Sequence, residues 1–247
     1  MSTFAYAPHR HDTYAIGVTL AGVQVFRYRG RRWIGLPGQI HVLHPDETHD
    51  GAAGTDAGLM YRILYVEPEL VRRALGGGPL PHVAVAVHDP TPATRELHRL
   101  LSDFGDPVGD LALCEAADTV ARALAALGGH PEADAGPIDQ AAVDRVREHL
   151  TACAHEQTPA ATLERIAGLD RFAIARHFRR AYGTSPDRYR TMRRLELARR
   201  AIHDGMPLVD AAAAAGFADQ SHMTRQFKRA YGLTPGRWAR SVAGIRL

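Results

Sequence analysis

The spacing of apolar residues changes twice along this chain of 247 residues. Up to about Pro90, apolar and polar positions alternate in short runs, the period of a half-buried strand. VQVFRYRG and RRWIGL read as two strands around a turn at Gly30. QIHVLH, after Pro37-Gly38, sets Ile40, Val42 and His44 on one face and Gln39, His41 and Leu43 on the other. LMYRILYV puts Tyr61, Ile63 and Tyr65 on a common face. Short strands punctuated by Gly and Pro predict a sandwich or barrel over residues 1–90.

Near Pro90 the period lengthens to that of a helix. Leu97, Leu100, Leu101 and Phe104 share a stripe, and LALCEAADTVARALAALGG is rich in Ala and Leu before a stop at two glycines. Residues 91–128 therefore read as helical, and residues 129–137, polar with Gly and Pro, as a linker. From 138 to 247 every segment is helical in pattern. Val143, Val146 and Leu150 form one stripe. Ser185-Pro186 and Thr234-Pro235 each place a capping hydroxyl before a proline at the first helical position, and Asp170 and Asp219 are further candidate caps.

Within this part the chain repeats itself. FRRAYGTSP (178–186) returns as FKRAYGLTP (227–235). Ahead of each copy lies the same order: a short helix (TLERIA or LVDAAAAA), a turn with Gly168 or Gly216, then a second helix. This is the form of a helix-turn-helix, in which one helix braces against the DNA backbone and the other enters the major groove. In the second copy Met223 and Phe227 fall on the core side, leaving Gln220, Ser221, Thr224 and Arg225 outward and early in the helix. In the first, Ile174 and Phe178 are the core pair and Phe172, Ala175, Arg176 and Arg179 are the outward candidates. Arg pairs with guanine and Gln with adenine in bidentate fashion, while Phe or Ala can touch a thymine methyl. The intervening PDRYRTMRRLELARRAIHDG reads as one long helix. Tyr189, Met192, Leu195 and Ile202 make its apolar stripe, and Arg188, Arg190, Arg193, Arg194, Arg199 and Arg200 are candidates for phosphate contacts.

Charge sharpens this picture. Residues 1–135 carry 11 Lys+Arg against 16 Asp+Glu, net −5, and residues 136–247 carry 19 against 11, net +8, giving the overall +3. A basic C-terminal half suits a polyanionic partner. Cys114 and Cys153 match no metal or redox spacing, as expected of inert thiols in a reducing compartment. MSTFAYAPHRHD lacks the apolar core of a secretory leader, and no run of 18 apolar residues occurs, so a cytoplasmic location without a membrane partner is expected.

The block RRLELAR…GFADQSHMTRQFKRAYGLTPGRW closely resembles the DNA-binding domain of AraC/XylS transcriptional regulators, over residues 138–243. The resemblance implies seven helices holding two helix-turn-helix units. Carried over by position, DNA contacts would come from Phe172, Ala175, Arg176, Gln220, Ser221, Thr224 and Arg225, with Arg179 beside them. One departure is Glu164, where many members have a small residue, so the packing of the first unit stays open. PHRHDTYAIGVTLAG and LPGQIHVLHPDETHD resemble, more loosely, the cupin-type sensor barrel of the same family.

That second resemblance implies a small-molecule effector inside the barrel and dimerisation through the helices that follow. His9, His11, Tyr14, His49, Tyr61 and Tyr65 are the candidate effector contacts. His9, His11 and His49 could also form the three-ligand metal site of a cupin enzyme, but the glutamate such sites carry after the HxH is absent, and no metal or cofactor is assigned. The expected fold is α+β in two domains, a cupin-like barrel followed by helices and an all-α domain with two helix-turn-helix units. The expected function is a one-component regulator, leaning to activation, that binds promoter DNA and an effector. A homodimer is expected, with RNA polymerase as a possible partner. The alternatives are a metal-dependent cupin enzyme carrying a DNA module, and a barrel serving only as a dimerisation scaffold.

Overall fold

A computed structural model describes residues 5–102, 109–129 and 137–243. Phe104 and most of the expected linker lie outside the described residues. The chain divides into two compact units, one of residues 1–105 and 116–136, the other of 106–115 and 137–247.

The N-terminal unit holds eight described strands: β1 (Ala5–His9), β2 (Tyr14–Gly22), β3 (Gln24–Tyr28), β4 (Arg31–Gly35), β5 (Ile40–Leu43), β6 (His49–Ala53), β7 (Leu59–Val66) and β8 (Val87–His88). They form two four-stranded antiparallel sheets, ordered β1-β6-β3-β4 and β7-β2-β5-β8. The turn at Gly30 is a two-residue hairpin with Tyr28 opposite Arg31. Arg29 and Gly30 both have positive φ, 51° and 70°, which matches the twist of the strands it joins. Two helices follow, α1 (Pro68–Ala74) and α2 (Pro92–Ser102). The helix α3 (Asp110–Leu127) starts in the C-terminal unit and ends in this one.

Register fixes which side chains face inward. Ala15, Gly17 and Thr19 of β2 stand opposite Tyr65, Ile63 and Tyr61 of β7, and Ala15 and Gly17 stand opposite Leu43 and His41 of β5. Ala15 and Leu43 pack with Phe26 and Tyr28 of the other sheet, so this face is the interior between the sheets. The alternate face, with Ile16, Val18, Val42 and Leu64, looks the other way; α2 packs against β2 and β7 with Leu97 and Leu101 fully buried.

The C-terminal unit contains seven described helices besides the start of α3: α4 (Gln140–Ala152), α5 (Ala160–Ala167), α6 (Arg171–Tyr182), α7 (Pro186–His203), α8 (Leu208–Ala214), α9 (Gln220–Tyr231) and α10 (Pro235–Ala243). Two separate cores hold them. Val143, Val146, Leu150, Leu163, Ile174 and Phe178 build the first, and Leu195, Ile202, Ala211, Met223 and Phe227 the second. Phe178 and Phe227 are fully buried, each contributing about 2–3 kcal/mol by area. α7 runs between the cores as the expected long connector. Two of its arginines are not at the surface: Arg190 is 8% and Arg194 6% exposed. Arg194 donates to the carbonyls of Ala154 (2.7 Å) and Glu156 (2.9 Å), and Arg190 to Asp187 Oδ1 (2.8 Å). Burial lowers the Arg194 pKa to about 10, with Arg190 adding to the effect. These two residues tie the loop after α4 and the start of α7, and they are withdrawn from the phosphate-contact candidates.

Candidate nucleic-acid interface and ligand site

The two helix-turn-helix units are built by the same local rules. Asp170 Oδ1 accepts from the Phe172 and Ala173 amides at 2.9 and 3.2 Å, starting α6. Asp219 Oδ1 accepts from the His222 amide at 2.7 Å, starting α9. Each helix ends at a glycine with positive φ, Gly183 and Gly232, which lets the chain reverse without a Cβ clash. Ser185 and Thr234 then cap α7 and α10 by accepting from the amides of Arg188 and Arg237. Aromatic contacts repeat as well: Phe178 meets Tyr182 at 4.7 Å between centroids, and Phe227 meets Tyr231 at 4.6 Å.

The turn glycines differ. Gly168 (φ +71°) faces open space, whereas a Cβ on Gly216 (φ +79°) would lie 2.0 Å from the His155 carbonyl oxygen. Glu164, the departure in the first unit, is accounted for by Arg171. Its Oε1 accepts from the Arg171 amide (3.0 Å) and Nε (2.9 Å), and its Oε2 from Nη2 (3.1 Å). The glutamate thus clamps the start of α6 to α5.

The reading faces also differ. On α9, Ser221 and Arg225 are exposed and Gln220 and Thr224 half-buried, all in the first half of the helix. On α6, Arg176 and Arg179 are half-buried, but Phe172 and Ala175 are only 3% and 4% exposed. The expectation that these two face outward is corrected here. Four consecutive α6 residues, 172–175, are buried, which one packed face cannot do. Leu111, at the start of α3, joins the core cluster of Ile174 and Phe178.

In the N-terminal unit His9, His11, His49 and Tyr65 cluster together, with His49 buried, His9 exposed and Tyr65 53% exposed. The His49 ring lies 4.5 Å from His9 and 4.9 Å from His11, and the His11 ring lies 5.0 Å from Tyr65. Each of the three imidazoles donates its Nδ1 hydrogen to a backbone carbonyl: His9 to Ala7 (3.0 Å), His11 to Thr13 (2.8 Å) and His49 to Glu47 (3.0 Å). That fixes the tautomer and leaves Nε2 as an acceptor. The Nε2 of His11 is buried and has no hydrogen-bond partner. Burial is the largest cause lowering the His49 pKa, reinforced by His9 and His11. Among the described residues no group of three or more His, Cys, Asp or Glu is placed to hold a metal ion.

Tyr61 and Tyr65 face the same interior, and Tyr14 does not. Tyr14 stands on the other face of β2, its hydroxyl donating to the Pro81 carbonyl at 3.2 Å and its ring against His44 at 5.2 Å. Strand alternation puts Tyr14 and Ala15 on opposite sides, so Tyr14 is removed from the candidate contacts.

Three interior residues escaped the sequence reading: His41, Tyr6 and Gln24. His41 is fully buried, neither ring nitrogen has a hydrogen-bond partner, and burial lowers its pKa to about 4. Its signal was Gly17 on the neighbouring strand, where a Cβ would lie 2.2 Å from the His41 ring. Tyr6 lies over Gly51, where a Cβ would meet its hydroxyl at 2.2 Å. Burial, with Tyr61 next, raises the Tyr6 pKa to about 12, while a hydrogen bond with Gln24 opposes the shift. A cavity of about 280 Å³ runs past Tyr6, Phe26 and Gly51 towards Arg27, Arg32 and Asp50. None of the histidines lines it.

With this geometry in place, the matches to known proteins agree with it. Residues 2–117 match the family model of the AraC-like ligand binding domain, and residues 163–241 that of a helix-turn-helix domain. The uncharacterized HTH-type transcriptional regulator YbfI of Bacillus subtilis (strain 168) is 30% identical over 226 residues, spanning 87% of this chain and 80% of that protein. The chain belongs to the AraC family of transcriptional regulators. It is a regulator with a helix-turn-helix DNA-binding domain and an AraC-type ligand-binding domain, and these matches give the enzyme alternative no support. Among solved structures, the chain is similar to a probable AraC family regulator from Rhodopseudomonas palustris CGA009 (24% identity, 42% of this chain and 98% of that chain, TM-score 0.40). It is also similar to the DNA-binding domain of AdpA in complex with a target DNA (23% identity, 42% and 95%, TM-score 0.40). Unsaturated fatty acid-bound ToxT from Vibrio cholerae matches over 100% of this chain and 93% of its own at 12% identity and a TM-score of 0.37. No described helix is long and apolar enough to cross a membrane.

Proposed function

We propose that this AraC-family chain reads promoter DNA with α6 and α9 in successive major grooves, and that a small molecule held between the two sheets governs how those helices are offered. The observation that carries the DNA part is the first half of α9, where Ser221 and Arg225 are exposed and Gln220 and Thr224 half-buried, on the side away from the core pair Met223 and Phe227. N-terminal residues of a recognition helix are the ones that reach base edges. Arg176 and Arg179 take the corresponding role on α6, and successive grooves lie about 34 Å apart, a separation that the rigid α7 can hold. Homodimerisation, a contact with RNA polymerase, transcriptional activation and a cytoplasmic location complete the reading.

The effector part rests on His41. A neutral imidazole buried with neither nitrogen bonded costs free energy that a ligand with a donor and an acceptor would recover. His9, His11 and His49 add three acceptor nitrogens, and Tyr6, Tyr61 and Tyr65 supply aromatic walls with polar tips. No described arginine, lysine or carboxylate lies on the inward register of β2, β5 and β7, so the part of the ligand that meets His41 is neutral and rich in hydroxyl or N–H donors. Melting of the N-terminal unit against panels of neutral polyols, phenols and carboxylates tests this. Stabilisation by neutral compounds, lost in His41→Leu, is expected; stabilisation by carboxylates alone contradicts it.

A further inference from the structure

Three imidazoles are brought to one place by three different devices. His49 stands on β6 on the same side as Gly51, and Gly51 is opposite Tyr6 of β1. Strict alternation would turn His9, three residues after Tyr6, to the other side of the sheet. The register of β1 shifts between Tyr6 and His9, and this bulge sets His9 opposite His49. Pro8 is tolerated there because β1 is an edge strand. His11 follows the strand, and its carbonyl accepts from the Asp46 amide at 2.7 Å, which ties it to the loop before β6. The His9 and His11 rings are then 6.2 Å apart, and they lie 4.5 and 4.9 Å from the His49 ring. Tyr65 of β7, the last strand of the other sheet, meets the His11 ring edge-on at 5.0 Å. With His9 exposed and His49 only 3% exposed, the cluster leads from solvent inwards.

Each Nδ1 hydrogen is committed to a backbone carbonyl, so each Nε2 offers a lone pair, and that of His11 is buried without a partner. A buried acceptor without a donor costs free energy that a donor on a ligand recovers. A carboxylate brings no donor, and a hydroxyl brings one hydrogen. A primary ammonium group brings three N–H donors and a positive charge, which strengthens each bond and suits a neighbouring aromatic ring. A metal ion fits less well. Imidazole binds one at about 2.0–2.1 Å, whereas hydrogen bonds span about 2.7–3.2 Å. No three described His, Cys, Asp or Glu are placed to hold such an ion.

We infer that His9, His11 and His49 form a seat for a primary ammonium group, with Tyr65 beside it, and that the effector is an amine whose neutral remainder runs inwards towards His41. The inference rests on the effector reading above and adds a charged end to the neutral part that meets His41. The other titratable groups facing the cluster are Tyr6 of β1, 5.3 Å from His9, Tyr65 of β7, His41 of β5 and Asp50 of β6. Of these Asp50 is the charged one, and its sign favours a cation. Arg10 and Asp12, which flank His11 in sequence, are exposed.

The test uses the full chain and the benzyl, cyclohexyl and hexyl skeletons, each presented as primary amine, alcohol and carboxylate, with affinity read by titration calorimetry and by melting. At about pH 8, where imidazole is ordinarily neutral, an amine should bind about tenfold tighter than the alcohol on the same skeleton. Benzyltrimethylammonium, charged but without an N–H, should bind no tighter than benzyl alcohol. At about pH 5.5 imidazoles take up protons, acceptors become donors of like charge, and the advantage of the amine should vanish. His11→Phe and His9→Phe each keep a ring and remove one acceptor, so the advantage should shrink while alcohol binding persists. If amine and alcohol bind alike on every skeleton, the ammonium seat is wrong and the neutral-effector reading stands. If benzyltrimethylammonium binds as tightly as benzylamine, an aromatic face rather than the imidazoles holds the charge, and the seat is again wrong. If the variants unfold, the pH and methylation comparisons on the wild type decide the matter alone. If no compound of any class binds, the effector reading falls and the seat with it.

Discussion

The two helix-turn-helix units share their caps, their end glycines and their buried phenylalanines, yet they present different faces. In the second, Ser221 and Arg225 of α9 are exposed and Gln220 and Thr224 half-buried. In the first, the equivalent face of α6 is half closed, with Phe172 and Ala175 buried. The difference teaches that a repeat in sequence conserves what holds the motif together more strictly than what the motif shows to a partner. Core and caps are set by residues within one copy. Exposure depends on whatever else lies against that copy.

The shared framework gives the largest expected effects. Phe178→Ala and Phe227→Ala should each destabilise the C-terminal unit by about 3–5 kcal/mol, read as loss of helical signal on denaturation. Equal costs would confirm equivalent cores; a cost below about 1 kcal/mol in one unit would break the comparison at its root. The turns come next. Gly168→Ala should cost about 1–2 kcal/mol for the left-handed backbone alone. Gly216→Ala should cost more, because its Cβ also meets the His155 carbonyl. Melting temperatures check the order, and a reversed order would contradict the turn geometry.

The DNA-facing differences are smaller. Arg225→Ala should weaken binding to a duplex selected by the full chain by about 1–3 kcal/mol and relax base preference at one position. Arg176→Ala should cost less in the same assay, since Arg176 is half-buried where Arg225 is exposed. Equal losses would remove the asymmetry. The caps should show the smallest effect, about 1 kcal/mol for either Asp170→Ala or Asp219→Ala. Asp170 accepts two amides and Asp219 one, so Asp170→Ala should be the costlier of the pair.

What the sequence disclosed follows the same division between local and distant causes. The alternation in LMYRILYV, the turn at Gly30, the four cap residues and the two core pairs were all legible, because each depends on neighbours a few residues away. Glu164 looked out of place until Arg171, seven residues on, supplied its partner. Tyr14 was misplaced because composition marks it as a binding residue, while strand pairing decides the face it occupies. His41 was missed because every residue of β5 is buried, so alternation there carries no inside-outside signal. Arg190 and Arg194 read as surface charges because a helical pattern does not reveal that the loop after α4 offers carbonyls to them. Phe172 and Ala175 follow the helical period outward yet are buried, and burial depends on packing that the period does not encode.

The account as a whole stands on both helices being readers that are unequally offered. A hydroxyl-radical footprint of the full chain on its selected duplex, at saturating protein, tests this most directly. Two protected segments about one helical turn apart are predicted. The segment that weakens in Arg225→Ala should be fully protected, and the one that weakens in Arg176→Ala only partly. A single segment, or two protected to the same extent, would contradict it.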